Sequence, residues 1–214
     1  MFEVKEIRDC LYDQFARVGR AISHAKRLHI LHLLCQGDKT VERLAQETDQ
    51  TIASTSAHLQ ILKHAHLVVS RKDGRYVYYA TADDAVLRFW LNLQEVGRRQ
   101  SPEVRELVQL YFSDVENMSD VEVDELLSRV ARSEVILLDM RPIDEYEARH
   151  IPGAQSLPYD ELEQRVGELP KDKEIWIYCR GSFCVTALET VSYLRELGFN
   201  AHRLSGGIAE WRAR

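Results

Sequence analysis

Glu174-Ile175-Trp176-Ile177-Tyr178-Cys179-Arg180-Gly181-Ser182-Phe183-Cys184 is the stretch on which the reading of this chain turns. Its first five residues form a β-branched and aromatic run of the kind that fills a buried parallel strand. Val185-Thr186-Ala187-Leu188-Glu189-Thr190-Val191-Ser192-Tyr193-Leu194 follows, with apolar residues at helical spacing. A cysteine at a strand end, followed by a tight turn into a helix, stands where α/β sheets place reactive groups. Loop amides and a helix amino-terminus aimed at such a sulfur favour an anion. The Cys179 thiol pKa is therefore expected to fall, and a bound anionic species to be held. Position alone leaves a second reading open, because cysteine is often buried and inert.

Outward from the loop, Val135–Leu138, Ala154–Leu157 and Ala201–Leu204 read as further strands alternating with helical stretches. That alternation predicts an α/β domain with a parallel sheet and helices on both faces. Leu137-Leu138-Asp139-Met140-Arg141-Pro142-Ile143-Asp144-Glu145-Tyr146 and His150-Ile151-Pro152-Gly153-Ala154 resemble the amino-terminal signature of rhodanese domains, and Ser205-Gly206-Gly207-Ile208-Ala209-Glu210-Trp211 resembles their carboxyl-terminal one. The resemblance implies a sulfurtransferase in which Cys179 attacks the outer sulfur of thiosulfate or a persulfide and holds it as a cysteine persulfide for a nucleophilic acceptor.

On this resemblance the backbone amides of the loop Arg180, Gly181, Ser182, Phe183 and Cys184 would stabilise the persulfide anion. The Arg180 side chain would bind an oxyanionic donor or be solvated. Asp139, Arg141 and His150 would serve as hydrogen-bonding support. Phosphatases and arsenate reductases of similar fold need an arginine six residues after the cysteine, where this chain has Val185. That favours sulfur transfer. Cys184 departs from the pattern: a second thiol ending the loop could resolve the persulfide to a disulfide or polysulfide bridge, or contribute only its amide.

In the amino-terminal half, Val4, Ile7, Leu11, Phe15 and Val18 recur at helical spacing. A second helix is expected from Ser23 to Cys35, stopping at Gly37. Thr40 and Thr51 are placed to cap two short helices. The second carries Thr55, Leu59 and Leu62 on one face. Asp73-Gly74 predicts a hairpin between Ser70-Arg71-Lys72 and Arg75-Tyr76-Val77-Tyr78-Tyr79, and a long helix begins near Asp84. Two short helices and a basic hairpin make a winged helix-turn-helix.

Leu28-His29-Ile30-Leu31, Ser56-Ala57-His58-Leu59-Gln60-Ile61-Leu62 and Gly74-Arg75-Tyr76-Val77-Tyr78-Tyr79 resemble the ArsR family of bacterial repressors. If Thr55, Leu59 and Leu62 are buried, Ala53, Ser54, Ser56 and Gln60 face the major groove, where hydroxyls and an amide suit base edges. Lys63, Arg71, Lys72 and Arg75 would reach phosphate, although each alone could equally be a solvated charge. The resemblance further implies a two-fold dimer through Leu11, Phe15, Trp90 and Leu91, reading a palindromic double-stranded operator.

The cysteine pair of the family's soft-metal sensors is missing from Val41-Glu42-Arg43-Leu44-Ala45, and the histidines His24, His29, His32, His58, His64 and His66 lack a carboxylate partner set. No metal and no cofactor are expected. Cys35 and Cys10 are either further redox partners or core thiols.

The net charge of −6 divides into +3 over residues 1–100 and −9 over residues 101–214, which suits different partners for the two halves. No apolar run is long enough to span a bilayer, and the charged start is no signal peptide. A cytoplasmic protein is expected, with its four cysteines as free thiols. The predicted organisation is a mostly helical DNA-binding and dimerisation domain over 1–100, a connecting helix and acidic linker over 101–118, and a rhodanese-like domain over 119–214.

The expectation is a repressor responsive to sulfane sulfur. Two alternatives stay open: a sulfurtransferase whose first domain only dimerises or localises it, and a repressor with a catalytically idle rhodanese module.

Overall fold

The computed structural model describes residues 4–112 and 120–213. Of the connecting helix and linker expected over 101–118, residues 113–118 lie outside the described residues. The chain forms two compact units, Met1–Trp90 and Leu91–Arg214, divided inside one long helix.

The first unit contains α1 (Val4–Ile22), α2 (Ala25–Gln36), β1 (Lys39–Thr40), α3 (Val41–Glu47), α4 (Ile52–His64), β2 (Val68–Asp73), β3 (Tyr76–Thr81) and the start of α5 (Asp84–Gln100). The predicted caps form. Thr40 Oγ1 accepts the Arg43 N–H at 3.3 Å, and Thr51 Oγ1 accepts that of Ser54 at 3.2 Å. Each satisfies an amide that the first helical turn leaves without a partner. Asp83 caps α5 by accepting from Ala85 and Val86. Leu31, Leu34, Leu44, Leu59 and Leu62 gather into one core, which phases α4 so that its other side faces solvent.

The wing differs from expectation in two ways. β1 joins β3, giving a three-stranded antiparallel sheet in the order β1-β3-β2. The turn also sits one residue later than predicted. Asp73 pairs with Tyr76, so the loop is Gly74-Arg75. Gly74 takes the left-handed φ of +58° that this first loop position needs.

The second unit continues α5 and adds α6 (Pro102–Tyr111), α7 (Asp120–Ala131), β4 (Val135–Asp139), α8 (Ile143–Ala148), β5 (Gln155–Ser156), α9 (Leu162–Arg165), β6 (Glu174–Tyr178), α10 (Val185–Glu196), β7 (Ala201–Arg203) and α11 (Ile208–Ala213). The four strands are parallel in the order β5-β4-β6-β7. β5 is shorter than the run 154–157 suggested.

Strand alternation divides the core. Ile136, Leu138, Ile175 and Ile177 pack with Ala187, Val191 and Leu194 of α10. Leu137, Trp176 and Tyr178 pack on the opposite face with Leu126 and Val130 of α7 and with Ile208 of α11. Cys179 continues the odd-numbered face of β6 and so lies among the α10-side residues.

Candidate functional site

The loop after β6 brings two sulfurs together. Cys179 is 5% exposed, whereas Cys184, the N-cap residue of α10, is half-buried. Their side chains interact directly. That contact and the adjacent negative sulfur, together with burial, push the Cys179 thiol up, against the Arg180 amide that favours its charge.

Cys184 moves the opposite way, down to about 5. The contact with Cys179 is the main cause, acting against burial. The Ala187 and Arg180 amides and the Thr186 side chain add to it. Cys184 makes no cap hydrogen bond of ordinary geometry, so these amides act as nearby positive ends of the helix and loop. Within this pair the upward shift falls on Cys179 and the downward one on Cys184, the reverse of the fall expected at Cys179. The main cause is the contact between the two thiols, and burial of Cys179 on the odd-numbered face of β6 adds to it.

Two of the five loop amides, those of Ser182 and Cys184, are engaged within the protein. Ser182 N–H donates to Glu210 Oε1 at 3.3 Å, the Ser182 hydroxyl donates to the Ser205 carbonyl at 2.5 Å, and Cys184 N–H donates to the Gly181 carbonyl. Those two amides hold the loop's own shape. Glu210 also accepts the Gly207 N–H at 2.9 Å. A Cβ at Gly207 would collide with the Cys179 carbonyl and stand 2.7 Å from Gly181 N, so only glycine lets this segment close on the loop.

Arg203, 5% exposed at the end of β7, donates to the carbonyls of Ser182 at 2.8 Å and Cys184 at 3.4 Å. Burial lowers its pKa, and the Cys184 charge opposes that shift. Sequence reading passed over Arg203 and Glu210. Glu210 stood within the Ser205–Trp211 motif, and Arg203 stood as a charge inside a predicted strand.

The Arg180 side chain is engaged with protein. It forms a two-pronged pair with buried Glu145, at 2.5 and 3.2 Å. Glu145 also lies 3.9 Å from Arg141, whose guanidinium pairs with Asp139 at 2.6 Å with both side chains fully buried. Tyr178 donates its hydroxyl to Asp139 at 2.6 Å and accepts the Ile151 N–H at 3.1 Å. Burial and the Asp139 carboxylate push the Tyr178 phenol up, so it remains a donor. This chain of contacts joins β4, α8 and β6 beneath the loop. His150 is exposed, stacks on Tyr146 and hydrogen-bonds its carbonyl.

In the first unit, Thr55, Leu59 and Leu62 are buried on α4. Ala53, Ala57 and Gln60 are exposed and form one stripe, with Ser56 half-buried beside it. Ala57 was not among the residues expected there. Ser54 turns aside to hydrogen-bond Gln50 at 2.9 Å. Lys63 reaches Ser70 at 2.7 Å, tying α4 to β2.

In the wing, Arg71 pairs with Asp38 and Asp73 and covers the Tyr78 ring, and Arg75 lies over Tyr76. Lys72 is exposed. Of the remaining cysteines, Cys35 is buried and Cys10 is exposed, which removes the core reading for Cys10. No group of three or more His, Cys, Asp or Glu among the described residues is arranged to hold a metal ion. No helix among them is long and apolar enough to cross a membrane.

A winged helix-turn-helix unit and a parallel-sheet unit with a cysteine loop, in one chain, define a transcriptional regulator joined to a rhodanese-like domain. The chain belongs to the ArsR family of bacterial regulatory proteins. The model of that family matches residues 24–70, and that of the rhodanese-like domain matches 122–214. HTH-type transcriptional regulator Rv0324 of Mycobacterium tuberculosis is 40% identical over 94% of this chain and 88% of its own length. A sulfurtransferase of Allochromatium vinosum is 32% identical over 44% of this chain and 88% of its own. Among solved structures, the homodimeric winged helix-turn-helix domain Mb0332 from Mycobacterium bovis, a possible ArsR-family regulator, is 37% identical. It covers 48% of this chain and 95% of that one with a TM-score of 0.45.

Proposed function

We propose that this regulator is a cytoplasmic repressor that reads sulfane sulfur through the Cys179/Cys184 loop and changes its operator affinity when the loop is loaded. The observation that carries the reading is the thiol pair, with a thiolate favoured at Cys184, in the loop of a domain related to sulfurtransferases. A thiolate near neutral pH is the form that attacks sulfane sulfur.

The DNA face is the α4 stripe of Ala53, Ala57 and Gln60 with Ser56, flanked by Lys72 and Arg75 on the wing. Small side chains admit the helix deep into the major groove, and the Gln60 amide suits an adenine edge. Lys63, Ser54 and Arg71 order the elements that present this face, through the contacts described above. The apolar face of α1 is the dimer surface: Val4, Ile7, Leu11 and Phe15 follow helical spacing and are all exposed. A symmetric dimer places two α4 helices in successive major grooves of a palindrome.

The test is operator binding, followed by fluorescence anisotropy, with and without inorganic polysulfide. Loading must differ in free energy between the free and bound protein to change affinity; a tenfold shift is about 1.4 kcal/mol. Wild type is expected to shift by about tenfold or more, and the double variant Cys179→Ser/Cys184→Ser not at all. Equal affinity with and without sulfur in wild type would sink the sensing claim.

The relation to the Allochromatium sulfurtransferase supports one second reading, a sulfurtransferase for which the first unit is a dimerisation or localisation module. Failure to find any sequence-specific operator would favour it.

A further inference from the structure

The rhodanese-like domain, matched from residue 122, is preceded within the same unit by the end of α5, from Leu91, and by α6. A cleft of about 710 Å³ lies between these helices and the cysteine loop. Ser182 and Phe183, which stand between the two cysteines in the chain, line it on the loop side.

The charge of the cleft is unlike that of the region around it. Residues 101–214 carry a balance of −9. The cleft is lined by four arginines, Arg98, Arg99, Arg105 and Arg203, against two glutamates, Glu95 and Glu210. Both carboxylates are already engaged. Glu95 pairs with Arg98 and Arg99, and Glu210 accepts the Ser182 and Gly207 N–H groups. Two cations remain without a carboxylate among the described residues. Arg105 is exposed and donates to the Arg99 carbonyl at 2.6 Å. Arg203 is 5% exposed and meets two loop carbonyls and the Phe112 ring, while its buried Nε has no hydrogen-bond partner. A buried guanidinium without a carboxylate is costly, and an anion brought into the cleft would offset that cost.

Leu91, Val108, Phe112 and Phe183 give the cleft an apolar part. A space of this size takes a small organic molecule; thiosulfate or a short inorganic polysulfide would leave most of it empty.

We infer that the cleft binds the sulfur donor, and that the donor is an organic persulfide of peptide size whose scaffold carries carboxylates. The inference rests on the reading above that the loop takes up sulfane sulfur. It adds the class of donor and the residues that select it. Arg203 supplies a buried positive charge and Arg105 an exposed one, and the apolar part takes the stem of the donor. Transfer is redox-neutral: the loop thiolate attacks the outer sulfur, one S–S bond forms at the loop, the donor's S–S bond breaks, and the donor's thiolate leaves with the electron pair.

The test reacts the full-length protein with the persulfide of glutathione, which carries carboxylates, and with that of 2-mercaptoethanol, which carries none. Added sulfur is followed by intact-mass spectrometry at donor concentrations where the rate is proportional to donor. Wild type is expected to load about tenfold faster from the first at low salt, and the advantage should shrink as salt is raised. Arg105→Glu should bring the ratio of the two rates to about one. S-methylglutathione, which keeps the carboxylates and has no sulfur to give, should slow loading of wild type from the uncharged persulfide. Equal rates from both donors in wild type overturn the inference and leave sulfur uptake by the loop standing, as does an advantage that survives Arg105→Glu. If that variant fails to fold, competition in wild type decides, and no slowing by S-methylglutathione overturns the inference. Wild type that gains sulfur from neither persulfide nor inorganic polysulfide overturns both this inference and the proposed function.

Discussion

Cys179 and Cys184 titrate as an interacting pair, and their surroundings shift the two in opposite directions. A buried sulfur with a negative neighbour keeps its proton; a sulfur at a helix start, facing amides, loses it. Alkylation by a small reagent such as iodoacetamide should therefore report a Cys184 rate rising through about pH 5 and level above it. An ordinary thiol would rise through about 8.5. Peptide mapping at several pH values separates the two, and a Cys184 rate still climbing at neutral pH would contradict the assigned charge.

Beneath the loop, Asp139 and Arg141 are a buried pair whose members each have further hydrogen bonds. Asp139→Ala strips the anion and leaves a guanidinium with no exit to water. We expect a loss of about 3–5 kcal/mol, read by chemical denaturation. A loss below about 1 kcal/mol would show that the pair relaxes into solvent.

Elements show how far periodicity carries. The spacing of Thr55, Leu59 and Leu62 was enough to phase α4 and to expose Gln60, because burial on a helix repeats with its turn. The same spacing could not reveal that Ser54 bends back to Gln50, since the partner lies outside the helix. Gly74 announced a hairpin, yet the register that admits Asp73 to the ladder depends on pairing along the whole of β2 and β3. In the second unit the four strands and the cysteine loop were legible as local apolar runs. Arg203 and Glu210 were not, because their meaning comes from where β7 and α11 pack, far along the chain from Ser182.

At this scale the two DNA-facing elements should part company in binding experiments. Gln60→Ala should cost about 1–3 kcal/mol and relax base preference at one position. Lys72→Ala should weaken all sequences alike and lower the salt slope by about one. Identical effects of the two would remove the assignment of base reading to α4.

The whole molecule couples unlike partners in one chain. Residues 1–100 carry a balance of +3 and residues 101–214 one of −9. The long-range field therefore attracts nucleic acid to the first and repels it from the second. The proposed reading of a palindrome needs a second copy, and on that proposal α1 supplies the surface: Phe15 is 66% and Leu11 52% exposed. Phe15→Glu places a charge on that face. It is expected to yield monomer by sedimentation and to lose most operator affinity while α2, α3 and α4 stay folded. A variant that remains dimeric would move the interface elsewhere.

Arg203 carries one last consequence. This dry guanidinium is held by the carbonyls of Ser182 and Cys184 at the loop. Its other neighbour is the ring of Phe112, which follows α6, and Phe112 in turn meets Phe183 of the loop. A change in the charge on the loop sulfurs would therefore be felt by this cation, because Cys184 acts on it electrostatically. The first aromatic surface it touches belongs to the segment that leads back along the chain toward the long helix.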